Sequence, residues 1–307
     1  MPATGPIFIL GMLPRSGTNH VWDLLGLHPD TELSTPVYED HLVRSSRHLV
    51  NFVDEVSREW TPEWGVPPTA GDGLLASLGD GILAWLTGDS DRRVVTKMPS
   101  VEGAHRFRAL FPQSPLVVLV RDGRSLCESG VRTFGWSYER AFRRWRDAAD
   151  IVLGLTDAEH PDPHLAMVRF EDLVERPAEA MRTVCQTVDL DPDAFPYDRI
   201  GGLPVRGSST LSTAGGPVHW APVEKTASFA PVERWASWSS HLHRRFAEVA
   251  GEQQRALGYE LVEPGGSDTL AERATMVRDY LFDARYREAA RVLGRARRQL
   301  ARSVDRR

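Results

Sequence analysis

The sequence predicts an α/β fold of three layers, a central parallel sheet flanked on both faces by helices. Three observations carry this. Short apolar runs, often β-branched, stand at Ile7–Leu10, Val94–Thr96, Leu116–Val120 and Leu165–Val168. Segments of helical period separate them, which suits crossover connections between parallel strands. The chain has 307 residues and is 41% hydrophobic, enough to bury a sheet on both sides.

Taken in order, Ile7–Leu10 is apolar throughout, as a strand covered on both faces must be. It runs into a Pro/Gly turn and an amphipathic helix over Thr18–Leu27, closed by His28-Pro29-Asp30. Helical spacing of apolar residues recurs at Ser45–Ser57, Leu74–Leu86, Val101–Leu110, Arg124–Arg132, Tyr138–Leu155 and Pro177–Val188. Thr61–Gly73 is rich in Pro and Gly and reads as a loop. Ile200–Pro231 has no period, and so long a Gly/Ser/Thr/Pro stretch is functional or disordered. Helical pattern returns at Ser237–Leu257, breaks at Glu263–Ser267 and resumes over Thr269–Arg302, turning strongly basic near Arg291–Arg307. The expected organisation is one domain over 1–262 with a helical basic tail over 263–307. That tail is available for docking on the domain or for homo-oligomer formation.

Composition narrows the function. A net charge of -5 gives no reason to expect nucleic acid. Cys127 and Cys185 are the only cysteines, which excludes a disulfide scaffold and a cysteine zinc site and fits a cytoplasmic protein. No apolar run is long enough to span a bilayer. His20, His28, His41 and His48 form no helical metal-ligand spacing with a carboxylate, so no metal is expected. Lysine occurs only twice, at Lys97 and Lys225, against many arginines. Each ammonium therefore draws notice, being compact and mobile where a guanidinium is a rigid fork.

Two loops carry chemistry. In Gly11-Met12-Leu13-Pro14-Arg15-Ser16-Gly17-Thr18-Asn19, a strand feeds a helix N-terminus, where backbone N–H groups and the helix dipole favour an anion. The loop is P-loop-like but departs from the nucleoside-triphosphatase pattern: five residues separate Gly11 from Gly17, and no lysine precedes Thr18. Later, Leu116–Val120 ends in Arg121-Asp122-Gly123-Arg124, and Ser129 follows within the next helix. Strand ends of an open parallel sheet face the ligand crevice, so Arg121 and Ser129 can clamp a second phosphate.

Together these loops resemble those of the sulfotransferases that use 3′-phosphoadenosine 5′-phosphosulfate (PAPS). Val168-Arg169-Phe170-Glu171-Asp172-Leu173-Val174 is similar to the family's Arg-Tyr-Glu-Asp-Leu segment, and Gly258-Tyr259 also matches. The likeness runs roughly from Pro6 to Glu260. It implies a P-loop-type fold, with Arg15, Ser16, Gly17, Thr18 and Asn19 on the 5′-phosphosulfate. Arg121 and Ser129 would hold the 3′-phosphate. It also implies that Arg206 and Ser208 belong to a late basic loop reaching the 3′-phosphate, with Lys225 as another candidate. Such a donor has no β/γ-phosphate pair to bridge, so it requires neither a Walker lysine nor magnesium.

The nearer likeness is to the carbohydrate, heparan-type and tyrosylprotein branches. Tyr38-Glu39-Asp40-His41-Leu42 resembles their Glu-Pro-His-Phe-Phe segment. This implies Glu39 as the base that deprotonates the acceptor, with His41 beside it. Asp40 stands where the family has Pro and can raise the Glu39 pKa as a like charge. Asp40 and His41 remain alternative bases. Val95-Thr96-Lys97-Met98-Pro99 resembles a Lys-Thr-Pro segment, so Lys97 would stabilise the leaving phosphate. The expected acceptor is a hydroxyl of a small molecule, a glycan, a lipid or a secondary metabolite, with a peptide tyrosine also open. Two other readings stay open: an ATP-dependent phosphotransferase, with Asp122 imitating a Walker B acid, and a non-catalytic nucleotide-binding scaffold.

Overall fold

A computed structural model describes residues 5–33, 36–156, 159–206, 232–262 and 265–281. The elements follow in order as β1 (Ile7–Gly11), α1 (Thr18–Leu25), β2 (Thr31–Glu32), α2 (Leu42–Ser45), α3 (Arg47–Arg58), α4 (Ala70–Thr87), β3 (Arg93–Met98) and α5 (Phe107–Leu110). Then come β4 (Leu116–Val120), α6 (Gly123–Phe134), α7 (Tyr138–Leu153), β5 (Leu165–Arg169), α8 (Phe170–Glu175), α9 (Pro177–Thr187) and α10 (Ser240–Ala256). Residues 270–281 are also helical.

The five strands pair in parallel in the order β2-β3-β1-β4-β5. β1 is central, with Leu10 beside Met98 of β3 and Gly11 beside Leu119 of β4. Its side chains alternate between two cores, as strand geometry requires. Phe8 and Leu10 join the cluster that holds Phe107, Phe111, Phe142, Trp145 and Phe246. Ile7 and Ile9 join Val21, Leu24, Met181 and Val184. The sheet is thus buried on both faces, and the C-terminal ends of β1 and β4 lie side by side. The two predicted phosphate loops start from there.

The expected three-layer architecture is present, and local expectations are corrected in a few places. The helix expected over Val101–Leu110 is only a 3₁₀ turn at Ala104–Arg106 followed by α5. Gly103 breaks it: its φ is 90°, and a Cβ there would lie 2.3 Å from the Val43 carbonyl oxygen. The helix expected from Ser45 begins earlier and in two pieces, with the Ser46 hydroxyl donating to the Val43 carbonyl at 2.6 Å between them. The loop expected over Thr61–Gly73 contains a 3₁₀ turn at Pro62–Trp64, and α4 already starts at Ala70. β2 has two residues, too few to show a period.

Three motifs meet at one buried carboxylate. Glu171 Oε1 accepts from the Asp122 N–H at 3.1 Å, and its Oε2 accepts from the Tyr259 hydroxyl at 2.8 Å. Trp145 Nε1 donates to the Arg121 carbonyl at 3.2 Å, and the Gly123 N–H donates to Gln254 Oε1 at 3.1 Å. The loop after β4 is therefore held by α7, α8, α10 and the chain following α10.

Candidate active site

The loop after β1 is built by two constrained residues. Arg15 has φ 84° and Gly17 φ 103°. The first is an uncommon conformation for a residue with a Cβ. At Gly17 an added Cβ would lie 2.5 Å from the Phe170 ring. Glycine is therefore required there both by backbone angle and by space. The Ser16 hydroxyl donates to the Leu13 carbonyl at 2.6 Å and accepts from the Leu13 N–H at 3.1 Å. It closes the turn together with the Ser16 N–H, which donates to the Leu13 carbonyl at 3.1 Å. No side chain caps α1; the His20 N–H donates to the Gly17 carbonyl at 2.9 Å, and the N–H groups of Thr18 and Asn19 before it have no intrahelical acceptor.

A cavity of about 700 Å³ opens over this loop. Arg15, Gly17, Thr18 and Asn19 line it, together with Asp23, Glu39, Pro99, Arg121, Arg206 and Arg234. An apolar wall of Phe170, Leu173, Tyr197 and Ile200 continues it.

Two clusters of polar side chains serve the cavity. In the first, Arg15 Nε donates to Ser129 Oγ at 3.2 Å, and Arg234 Nη1 donates to the same oxygen at 3.3 Å. Arg121 Nη1 donates to the Arg15 carbonyl at 2.6 Å, and its guanidinium lies 4.4 Å from the Phe170 ring centre. Burial, then Arg234, pulls Arg15 down to about 10, and the same two causes pull Arg121 down to about 9. A guanidinium keeps its proton under such pressure, so positive charge converges on Ser129. Asp122 does not relieve it. Asp122 caps α6 by accepting from the Arg124 N–H at 2.8 Å and pairs with the Arg124 guanidinium at 2.6 Å. That engagement also removes it as a Walker B acid.

The second cluster is mixed in charge. Glu39 stands between two bases, with Oε1 3.7 Å from Lys97 Nζ and Oε2 3.7 Å from His41 Nε2. Lys97 is fully buried on β3, not exposed at a strand end. Burial lowers it to about 8, against the opposing pull of Glu39 and Asp23. Asp40 is structural: its Oδ2 accepts from Thr96 Oγ1 at 2.7 Å and its Oδ1 from the Leu42 N–H at 2.8 Å. Burial raises its pKa, as it does that of Asp23. Asp23, one turn along α1 from Asn19, pairs with Arg206 Nε at 3.2 Å.

Most expected site residues therefore converge, with exceptions. Arg206 lies against Asp23 and Trp22, not beside Ser129. The position beside Ser129 is taken by Arg234, which the sequence reading missed. The aromatic pair in Arg234-Trp235-Ala236-Ser237-Trp238 is the signal that was there to find it. Trp235 stacks on the Arg124 guanidinium at 3.8 Å, and Trp238 Nε1 donates to Glu128 Oε2 at 2.7 Å, so both pin the segment to α6. Asp23, Tyr38 and Phe170 were also missed as site residues. Ser208 and Lys225 lie outside the described residues. Away from the cavity, His241, Asp268 and Glu272 come within metal-ligand distance of one another. However, the Arg244 guanidinium already occupies Asp268, and Glu272 caps Thr269.

The fold and loops define a class, α/β proteins with a P-loop-like anion site and no triphosphate-binding lysine. Residues 6–194 match the model of the sulfotransferase family, and the chain belongs to that family. It is 24% identical over 202 residues to protein-tyrosine sulfotransferase A of Caenorhabditis elegans, covering 62% of this chain and 51% of that protein. It is 26% identical over 195 residues to the protein-tyrosine sulfotransferase of Drosophila melanogaster, covering 60% and 38%. The chain thus spans about half or less of the length of these curated relatives. The sulfotransferase domain of the Synechococcus PCC 7002 olefin synthase shares the fold, with a TM-score of 0.56 and 22% identity over 85% of this chain and 98% of that one.

Proposed function

We propose that this chain transfers a sulfuryl group from PAPS to an acceptor hydroxyl. The observation that carries the reading is the meeting of Arg15, Arg121 and Arg234 around Ser129, beside a loop with no triphosphate-binding lysine. Clustered guanidiniums repel one another in a poorly hydrated site, and an anion with two charges relieves all three. When bound, the donor supplies an electrophilic sulfuryl group on a phosphate leaving group.

The roles of the chain's own residues follow from position. Backbone N–H groups of Gly17 to Asn19 and the Arg15 guanidinium hold the 5′ end, in a turn that Ser16 closes, while Arg121, Ser129 and Arg234 hold the 3′-phosphate. The apolar wall beginning at Phe170 suits the base. Glu39 takes the acceptor proton, and His41 balances its charge. Lys97 supplies positive charge near the departing phosphate. Arg206, held by Asp23, belongs to this reacting group and not to the 3′-phosphate.

The acceptor is a hydroxyl of a small molecule such as a glycan, lipid or secondary metabolite. A peptide tyrosine is the competing choice, since both curated relatives carry that activity in their names. Thermal unfolding tests the donor site. Adenosine 3′,5′-bisphosphate without magnesium should stabilise the protein by about 2.7 kcal/mol at a hundred times its Kd. ATP with magnesium should not. The reverse result would move the protein to the phosphotransferases. Incubation with PAPS and panels of both acceptor classes, read by mass spectrometry, separates small-molecule from peptide transfer.

A further inference from the structure

Lys97 contributes nothing to the described cavity wall, although Glu39 beside it does. What covers it is Tyr38. The Lys97 ammonium lies 3.6 Å from the centre of the Tyr38 ring and 5.6 Å from that of Trp22. Its Nζ is buried without a hydrogen-bond acceptor among the described residues. The Tyr38 hydroxyl donates to Asn19 Oδ1 at 3.1 Å and accepts from the Arg206 guanidinium, and the ring stands edge-on to Trp22 at 5.8 Å. Asn19 itself lines the cavity as part of the phosphate loop.

We propose that Tyr38 is a positioning residue: it stores the Lys97 ammonium under its ring, behind the cavity wall, and ties that store to the phosphate loop through Asn19. An anion in the loop is a stronger acceptor than the Asn19 amide oxygen: it draws the Tyr38 hydroxyl off Asn19 Oδ1, draws the Arg206 guanidinium off Tyr38, and lets the ring lift from Lys97. Lysine charge then reaches the reacting atoms only once the loop is filled. The ring is a good store because a desolvated ammonium binds a π face well and gives it up without breaking a strong ion pair. The charged groups around Lys97 are Glu39 and Asp40 on the loop before α2 and Asp23 on α1, with Arg206 beyond Tyr38. The catalytic value of this device rests on the reading above, but the contact itself does not.

The chain has only two lysines, so uniform ¹³Cε-lysine labelling gives two side-chain signals, and Lys225→Arg identifies Lys97. The Lys97 signal should be displaced upfield by the ring. Tyr38→Leu should abolish that displacement and, by removing the π face while keeping the site apolar, lower the Lys97 titration midpoint by about half a unit to one unit. Tyr38→Phe, which keeps the ring and loses the hydroxyl, should keep the displacement. Adding adenosine 3′,5′-bisphosphate, or inorganic pyrophosphate as a simpler probe, should shift the wild-type signal toward its ordinary position. An undisplaced Lys97 signal, or one unchanged in Tyr38→Leu, overturns the storage contact. A signal unmoved by both probes overturns the coupling. If pyrophosphate moves the signal while the bisphosphate neither moves it nor stabilises the protein, the donor assignment fails and the Tyr38 device stands.

Discussion

The two clusters that face the cavity differ in how their charge is balanced. Around Ser129 three arginines crowd together, with Glu171 acting on Arg121 and Glu128 on Arg234 from outside the group. Around Glu39 the charges alternate: Asp23 with Arg206, and Glu39 with Lys97, with the His41 ring beside Glu39. A cluster in which guanidiniums crowd one another is suited to gripping a fixed anion, because that repulsion is relieved on binding. A balanced cluster is suited to moving a proton, because neither protonation state strands a charge in a dry site. The difference assigns holding to one and chemistry to the other, and it can be broken experimentally.

The largest effect is expected at the balanced cluster. Glu39→Gln should lower kcat by about 10²-fold or more while leaving nucleotide affinity nearly unchanged, since it removes a base and no anion ligand. Near-normal turnover would hand the role to His41, because both Asp40 oxygens are already bonded. Next, Arg121→Ala should weaken binding of adenosine 3′,5′-bisphosphate by about 10²-fold in calorimetry, the scale for removing a buried charged contact. Arg234→Ala should cost about tenfold in the same assay, since its segment is held by Trp235 and Trp238 and two arginines remain. Equal losses from Glu39→Gln and Arg121→Ala in the binding assay would erase the distinction between the clusters.

The smallest effect is in pH dependence. Lys97 titrates at about 8, lowered by burial from its ordinary value. If its ammonium acts, turnover falls as pH rises through that value. Lys97→Arg keeps its charge at higher pH, so the falling limb should move upward even though the maximal rate drops. A limb that stays in place belongs to another group.

Legibility in the sequence followed the range of the interactions. The loop after β1 and the Arg121–Ser129 pair were readable because an apolar strand, a turn and a helix start are all local patterns. The Glu171 and Tyr259 motifs were readable as patterns, but their joint use was not. Only tertiary contact shows that one carboxylate ties Asp122 to Tyr259. Arg206 and Arg234 illustrate the limit. One lies within the long aperiodic stretch and the other just past it, and nothing local tells which one reaches Ser129. Asp23 looked like an ordinary helical acid until its neighbour proved to be Arg206. Gly103 was hidden for the opposite reason, a helical spacing of apolar residues that one backbone angle cancels.

The bond from Arg121 to the Arg15 carbonyl has a consequence for how the donor pocket is counted. A left-handed backbone at a residue with a Cβ costs about 1–2 kcal/mol, and Arg121 is the group that holds the Arg15 carbonyl in that pose. The two arginines are therefore coupled through one peptide: removing the Arg121 guanidinium relaxes the backbone that aims the Arg15 side chain. Losses from Arg15→Ala and Arg121→Ala should be sub-additive when combined.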